Sequence, residues 1–149
     1  LTYTWKKGAE TTLGDLGDPT AASGPGYDVC LYDGTGGGYV LGLEVEIPPA
    51  GVCAGKPCWK AAGSKGFKYK DRASAAGGVQ KLILKSGAEG RTKFILKARG
   101  GAIDLPAMPL AQDSAVAARL SNDAGSCWQA DFTTPAAVNS ASRFKDKGN

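Results

Sequence analysis

Along much of this chain apolar and polar residues alternate with period two, the rhythm of half-buried strands. Leu1 to Trp5 alternates in this way, and Tyr27 to Asp33 does so more strongly. Tyr39 to Ile47 carries Val40, Leu41, Leu43, Val45 and Ile47. The glycine-rich turn from Gly34 to Gly38 makes a hairpin of 27–33 with 39–47 the expected pairing. Pro48 and Pro49 end the second strand, because proline donates no ladder hydrogen bond. Cys58 to Lys60 and Gly66 to Lys70 read as short strands, and Val79 to Ser86 and Thr92 to Ala98 as two clear ones joined by Gly87 to Gly90. Residues 6–26, rich in Gly, Asp, Thr, Ser and Pro, read as a long loop, and residues 100–112, with Pro106 and Pro109, as an extended connector. Ala115 to Ser121 is ambiguous between a helical turn and a strand. Cys127 to Phe132 alternates cleanly, and Ala141 to Lys145 is a candidate last strand. About nine or ten short strands result, and the expected fold is all-β: an antiparallel β-sandwich, Ig-like or jelly-roll-like, forming one domain over residues 1–149.

Composition sharpens this reading. Gly 22 and Pro 8 in 149 residues make a turn-rich chain and argue against a helical bundle. No apolar run approaches the roughly 20 residues needed to cross a bilayer, so no membrane span is expected. Histidine is absent, which removes the commonest general base and the commonest metal ligand. The chain starts at Leu1 without a signal-peptide pattern, so a processed product or a fragment is expected.

Four cysteines, Cys30, Cys53, Cys58 and Cys127, lack the paired spacing of a zinc knuckle and point to two disulfides. Disulfides imply an oxidising, extracellular or cell-surface location. The compact stretch Cys53-Ala-Gly-Lys-Pro-Cys58 suits a tight ring, which leaves Cys30 for Cys127. A bridge of that span contributes about 4–5 kcal/mol by loop-closure entropy. The other two pairings stay open.

Charge is unevenly spread. Residues 1–54 hold two basic and seven acidic side chains, whereas residues 55–149 hold sixteen and seven. Such a split steers a basic face toward an acidic partner. The strand pair 79–86 and 92–98 localises that face. Leu82, Leu84, Phe94 and Leu96 share one parity and belong to the core; Lys81, Ile83, Lys85, Lys93, Ile95 and Lys97 share the other. This second set either covers itself with lysine stems or forms a partner-binding surface.

The aromatic residues supply a rival reading. Trp59 and Trp128 each follow a cysteine, and if the cysteines face inward the tryptophans point outward as ligand-binding residues of a carbohydrate-binding module. Tyr3, Trp5, Tyr32, Tyr39 and Tyr69 are further candidates for such a sugar-stacking platform. Other motifs fail on spacing. Gly51 to Pro57 is one residue short of a phosphate loop and has Pro where Ser or Thr belongs; Gly34 to Gly38 lacks the last glycine of a dinucleotide fingerprint. Asp15, Asp18 and Asp33 have no EF-hand spacing. No catalytic residue, cofactor, metal or nucleic-acid partner is expected.

A likeness covers most of the chain. Gly55-Lys-Pro-Cys-Trp-Lys60, Gly66-Phe-Lys-Tyr-Lys-Asp71, Leu82-Ile-Leu-Lys-Ser-Gly87, Lys93-Phe-Ile-Leu-Lys97, Leu105-Pro-Ala-Met-Pro-Leu110, Cys127-Trp-Gln-Ala-Asp-Phe132 and Arg143-Phe-Lys145 occur in an order that resembles a module of unassigned activity in secreted and surface proteins of environmental bacteria. Trp5 to Ala9, Gly17 to Pro19 and Tyr27 to Asp33 resemble the start of the same module. The resemblance implies export and a non-catalytic context and transfers no catalytic residue. The expected function is a structural or adhesive module of the bacterial cell surface, a repeating subunit of a filament whose acidic and basic faces meet. Its partner is another copy, another surface protein or a polysaccharide.

Overall fold

The structure, a computed structural model, describes residues 1–100 and 102–146. In chain order its elements are β1 (Thr2–Gly8), the single helical turn α1 (Leu13–Leu16), β2 (Tyr27–Thr35), β3 (Gly38–Ile47), β4 (Val52–Cys53), β5 (Lys56–Pro57), β6 (Trp59–Ala61), β7 (Gly66–Lys70), β8 (Val79–Lys85), β9 (Thr92–Ala98), β10 (Ala115–Asn122), β11 (Cys127–Thr133), β12 (Val138–Ser140) and β13 (Arg143–Lys145). The chain is all-β with antiparallel pairing, and its two larger sheets are those of the expected sandwich-like class. No helix among the described residues is long and apolar enough to cross a membrane.

One domain over 1–149 is the sequence expectation. The chain forms two compact units, each drawn from separate stretches. The first unites Leu1–Tyr27, Val45–Ile103 and Asn122–Ser126; the second unites Asp28–Glu44, Asp104–Ser121 and the chain from Cys127 onward.

The first unit holds a five-stranded sheet in the order β1-β9-β8-β7-β6. Its alternation is the one read from the sequence. Leu82, Leu84, Phe94 and Leu96 are at most 1% exposed, and Trp59, Tyr69, Tyr3, Val79 and Ala98 are buried with them. Leu16, Tyr27, Val45, Ile47 and Ile103 complete this core. The Tyr27 phenol donates to the Leu16 carbonyl at 2.6 Å, and burial pushes its pKa well above the ordinary phenol value. Residues 6–26 are less irregular than expected. β1 continues to Gly8, and Thr12 and Asp15 cap α1 reciprocally: Asp15 N–H donates to Thr12 Oγ1 at 3.1 Å, and Thr12 N–H to the Asp15 carboxylate at 2.7 Å. The Thr12 amide bond also holds the Asp15 pKa below its usual value.

The second unit is built around a four-stranded sheet ordered β11-β10-β2-β3, and β12 and β13 pair as a small hairpin. β2 and β3 are neighbours, as the glycine turn between them implies. The ambiguous segment 115–121 is the strand β10 and lies inside the sheet. Ala115, Val116, Ala117 and Ala118 are buried on both of its faces, so no alternation marked it.

Of the two expected disulfides one exists. Cys53 and Cys58 are bonded, with Cα atoms 4.9 Å apart, whereas Cys30 and Cys127 are free thiols. The reason lies in strand order. β10 stands between β2, which carries Cys30, and β11, which carries Cys127. Two strand spacings amount to about 9–10 Å, beyond the roughly 7 Å that a disulfide spans between Cα atoms.

Candidate functional site

The exposed face of the five-stranded sheet is a grid whose rows are set by register. Residues paired across neighbouring antiparallel strands share a face, so the parity that buries Leu82 and Phe94 turns every partner of Lys81 and Lys93 outward. One row runs Lys6, Lys93, Lys85 across β1, β9 and β8. A second runs Thr2, Lys97, Lys81, Lys70. Between them lies the row Thr4, Ile95, Ile83, Lys68, Lys60. The six residues picked out in the sequence, Lys81, Ile83, Lys85, Lys93, Ile95 and Lys97, therefore stand together. The topology adds Lys6, Lys60, Lys68 and Lys70, which sequence distance concealed.

Five lysine pairs face each other directly: Lys6 with Lys93, Lys93 with Lys85, Lys97 with Lys81, Lys81 with Lys70, and Lys68 with Lys60. No carboxylate occupies any of these register positions. Like charges directly opposite in a sheet are destabilising, each by a few tenths of a kcal/mol to about 1 kcal/mol. Ile83 and Ile95, paired with each other, are half-buried at the centre. The face is thus an apolar spot framed by cations that repel one another.

The face continues toward the Cys53–Cys58 ring. There Lys56, Lys60, Lys68, Lys70 and Arg72 line a cavity of about 380 Å³, together with Cys53, Ala54, Pro57 and Cys58. Local structure explains the convergence. β4 and β5 are joined by a two-residue turn in which Ala54 and Gly55 both have positive φ, 51° and 75°, as a tight hairpin requires. The turn pairs Cys53 with Lys56. Gly51 also has positive φ, and a Cβ there would sit 3.2 Å from Cys58 Sγ, so glycine lets the ring pack against its own chain. The Lys70 amide donates to the Cys58 carbonyl at 2.9 Å and ties the end of β7 to the ring. Asp71 is buried and accepts from the amides of Ala73 and Ala75, which holds the turn carrying Arg72.

The tryptophans do not form the sugar platform considered from the sequence. Trp59 is 1% exposed; its indole donates to the Pro48 carbonyl at 2.9 Å, and its ring contacts Tyr27 and Tyr69. Trp128 is also buried. Inference from the preceding cysteine failed because Cys58 lies before β6 begins, so strand alternation does not run through it, and because Cys127 faces solvent on β11. Tyr3 and Tyr69 are buried, Trp5 stacks on Phe94 with centroids 5.0 Å apart, and Tyr32 lies beneath the Arg119 guanidinium. Only Tyr39 of that set is well exposed.

The acidic residues of the N-terminal third are dispersed. Asp15 caps α1, Asp18 accepts from Thr20, and Asp33 accepts from the amides of Ala111 and Gln112. Glu44 and Glu46 stand exposed on the edge strand β3, whose Tyr39, Val40 and Leu41 are also exposed. Cys30 on β2 is buried, and its thiol pKa is raised mainly by burial, with the charges of Glu44 and Asp28 adding to the effect. No protein family, curated protein or solved structure matches the chain.

Proposed function

We propose that this chain is a non-catalytic assembly module of the cell exterior, whose lysine face receives the acidic edge strand of a second copy. The observation that carries this reading is the set of five directly opposed lysine pairs around Ile83 and Ile95. An arrangement that weakens the free sheet is explained by a surface that neutralises it on binding. β3 has the complementary character: Val40, Glu44 and Glu46 share one parity on an edge strand and are exposed. An apolar residue followed by two carboxylates matches an isoleucine pair flanked by lysines. The contact is heterologous, joining different surfaces of successive copies, and when its rotation does not close it propagates a fibre. Charge of a single sign suits docking, whereas acid–base chemistry uses groups in opposed protonation roles. The Cys53–Cys58 bond supports an oxidising location.

Light scattering and electron microscopy across a salt series test the reading. Assembly is expected at low ionic strength and is expected to weaken steeply toward physiological salt and above. Reversal of Lys81, Lys85, Lys93 and Lys97 to Glu abolishes it, and adding Glu44→Lys and Glu46→Lys to the reversed chain restores it. A monomer at every salt concentration, or assembly indifferent to the lysine reversal, refutes the proposal.

A further inference from the structure

We infer that the cavity beside the Cys53–Cys58 ring, which adjoins the lysine face and shares Lys60, Lys68 and Lys70 with it, is a binding site for a multiply charged oxyanion of the phosphate or sulfate class. Lys56, Lys60, Lys68, Lys70 and Arg72 converge on about 380 Å³, a size within the range of small-ligand sites, and no carboxylate is among the lining residues. The cations come from three pieces of chain, tied together through the Cys53–Cys58 ring and the turn after β7. Lys56 is fixed by the β4–β5 turn and the disulfide behind it. Lys60 and Lys68 face each other across β6 and β7, and Lys70 is held by its amide bond to Cys58. Arg72 follows the buried Asp71, whose two backbone bonds set the turn. The backbone positions that carry the cations are thus set before any ligand arrives, while the exposed side chains themselves order on binding.

The chemistry of these groups selects the ligand. Arginine offers a planar fork that matches two oxygens of one phosphate or sulfate, and lysines act as point charges around it. A single carboxylate has too little charge and too few oxygens to engage five cations, whereas a phosphate chain or a sulfate or phosphate ester has enough. This inference goes beyond assembly by a second copy: Lys56 and Arg72 lie outside the register rows of the lysine face, and Lys85 and Lys93 lie outside the cavity.

That separation supplies the experiment. Inorganic tripolyphosphate is titrated into the oxidised protein by calorimetry at physiological salt. One saturable site is expected. Lys56→Gln with Arg72→Gln weakens it by about tenfold or more, whereas Lys85→Gln with Lys93→Gln changes it by less than about twofold. All four positions except half-buried Lys93 are exposed, and unchanged thermal melting verifies that each variant folds. Inorganic sulfate and dextran sulfate, titrated in parallel, distinguish a free anion from an ester carried on a polymer; cavity-dependent binding of either supports the site. Absence of saturation up to about 10 mM with all three probes, or equal losses from the two variant pairs, overturns the inference. Retained assembly of the Lys56→Gln, Arg72→Gln variant separates this outcome from failure of the fibre reading.

Discussion

The two larger sheets of this chain solve the same problem in opposite ways. In the five-stranded sheet one face is aromatic and aliphatic, and the other is mostly lysine around a single isoleucine pair, with Thr2 and Thr4 at the β1 edge. In the four-stranded sheet, the first half of β10, Ala115 to Ala118, is covered on both faces and is small and apolar, with Arg119 folded over Tyr32 and bonded to Gln129 at 3.2 Å. A strand buried on both sides has little freedom to carry charge, and the one charged side chain of β10, Arg119, is taken up by its ring and amide contacts. A strand buried on one side has that freedom, and the first unit spends none of it on ion pairing along the register rows. The contrast teaches that the lysine rows do not follow from the needs of folding, because a sheet of the same chain manages without them.

The sharpest way to break this contrast is to place the same residue in both sheets. Ala117→Lys, on the doubly covered β10, is expected to destabilise the protein by about 3 kcal/mol or more, since a charge and extra volume enter a packed site. Ile83→Lys, on the open face, is expected to cost about 1 kcal/mol or less. Urea unfolding of the two variants measures the difference, and similar losses would show that the lysine face is as closely covered as β10.

A second test uses pH. The folded state holds the Cys30 thiol pKa above its free value, so above about pH 8.5 the unfolded chain releases a proton that the folded chain retains. Stability contributed by this group is complete below that pH and is lost as pH rises toward the folded pKa. Cys30→Ala is expected to flatten the decline between about pH 8.5 and 10, before the raised phenols of Tyr27 and Tyr69 add their own loss. Equal slopes in thermal melts of both proteins would remove Cys30 as the cause.

The smallest expected effect is the most specific. Lys81 faces Lys97 on one side and Lys70 on the other. Lys81→Glu turns two repulsions into two attractions and is expected to stabilise the protein by about 0.5–1 kcal/mol at low salt, with the gain shrinking as salt is added. A loss of stability at low salt would mean that the lysines are already neutralised within the folded chain.

How far the sequence reveals this molecule depends on how local the signal is. β9 alternates throughout and β8 does so from Lys81 onward, past the register shift after Val79, so their faces and even their lysines are readable residue by residue. β10 is not, because burial on both faces erases alternation. The turn α1 hides in a loop-like composition, although Thr12 and Asp15 carry its cap. The cavity was out of reach for another reason. Lys56, Lys60, Lys68, Lys70 and Arg72 show in sequence as basic density, and convergence requires knowing that Cys53 bonds Cys58 and that β6 pairs with β7. The strand order that separates Cys30 from Cys127 is likewise a property of topology, with no trace in local composition.

The opposed lysine pairs also make this protein a reporter of its own ligands. Because the unliganded sheet stores repulsion, a polyanion that seats on it binds more tightly by the repulsion it relieves and raises the melting temperature by mass action accordingly. A differential scanning fluorimetry screen of anionic polymers would therefore rank binders directly. Directed evolution for heat resistance alone would steer toward neutralised lysines and a sturdier, inert molecule.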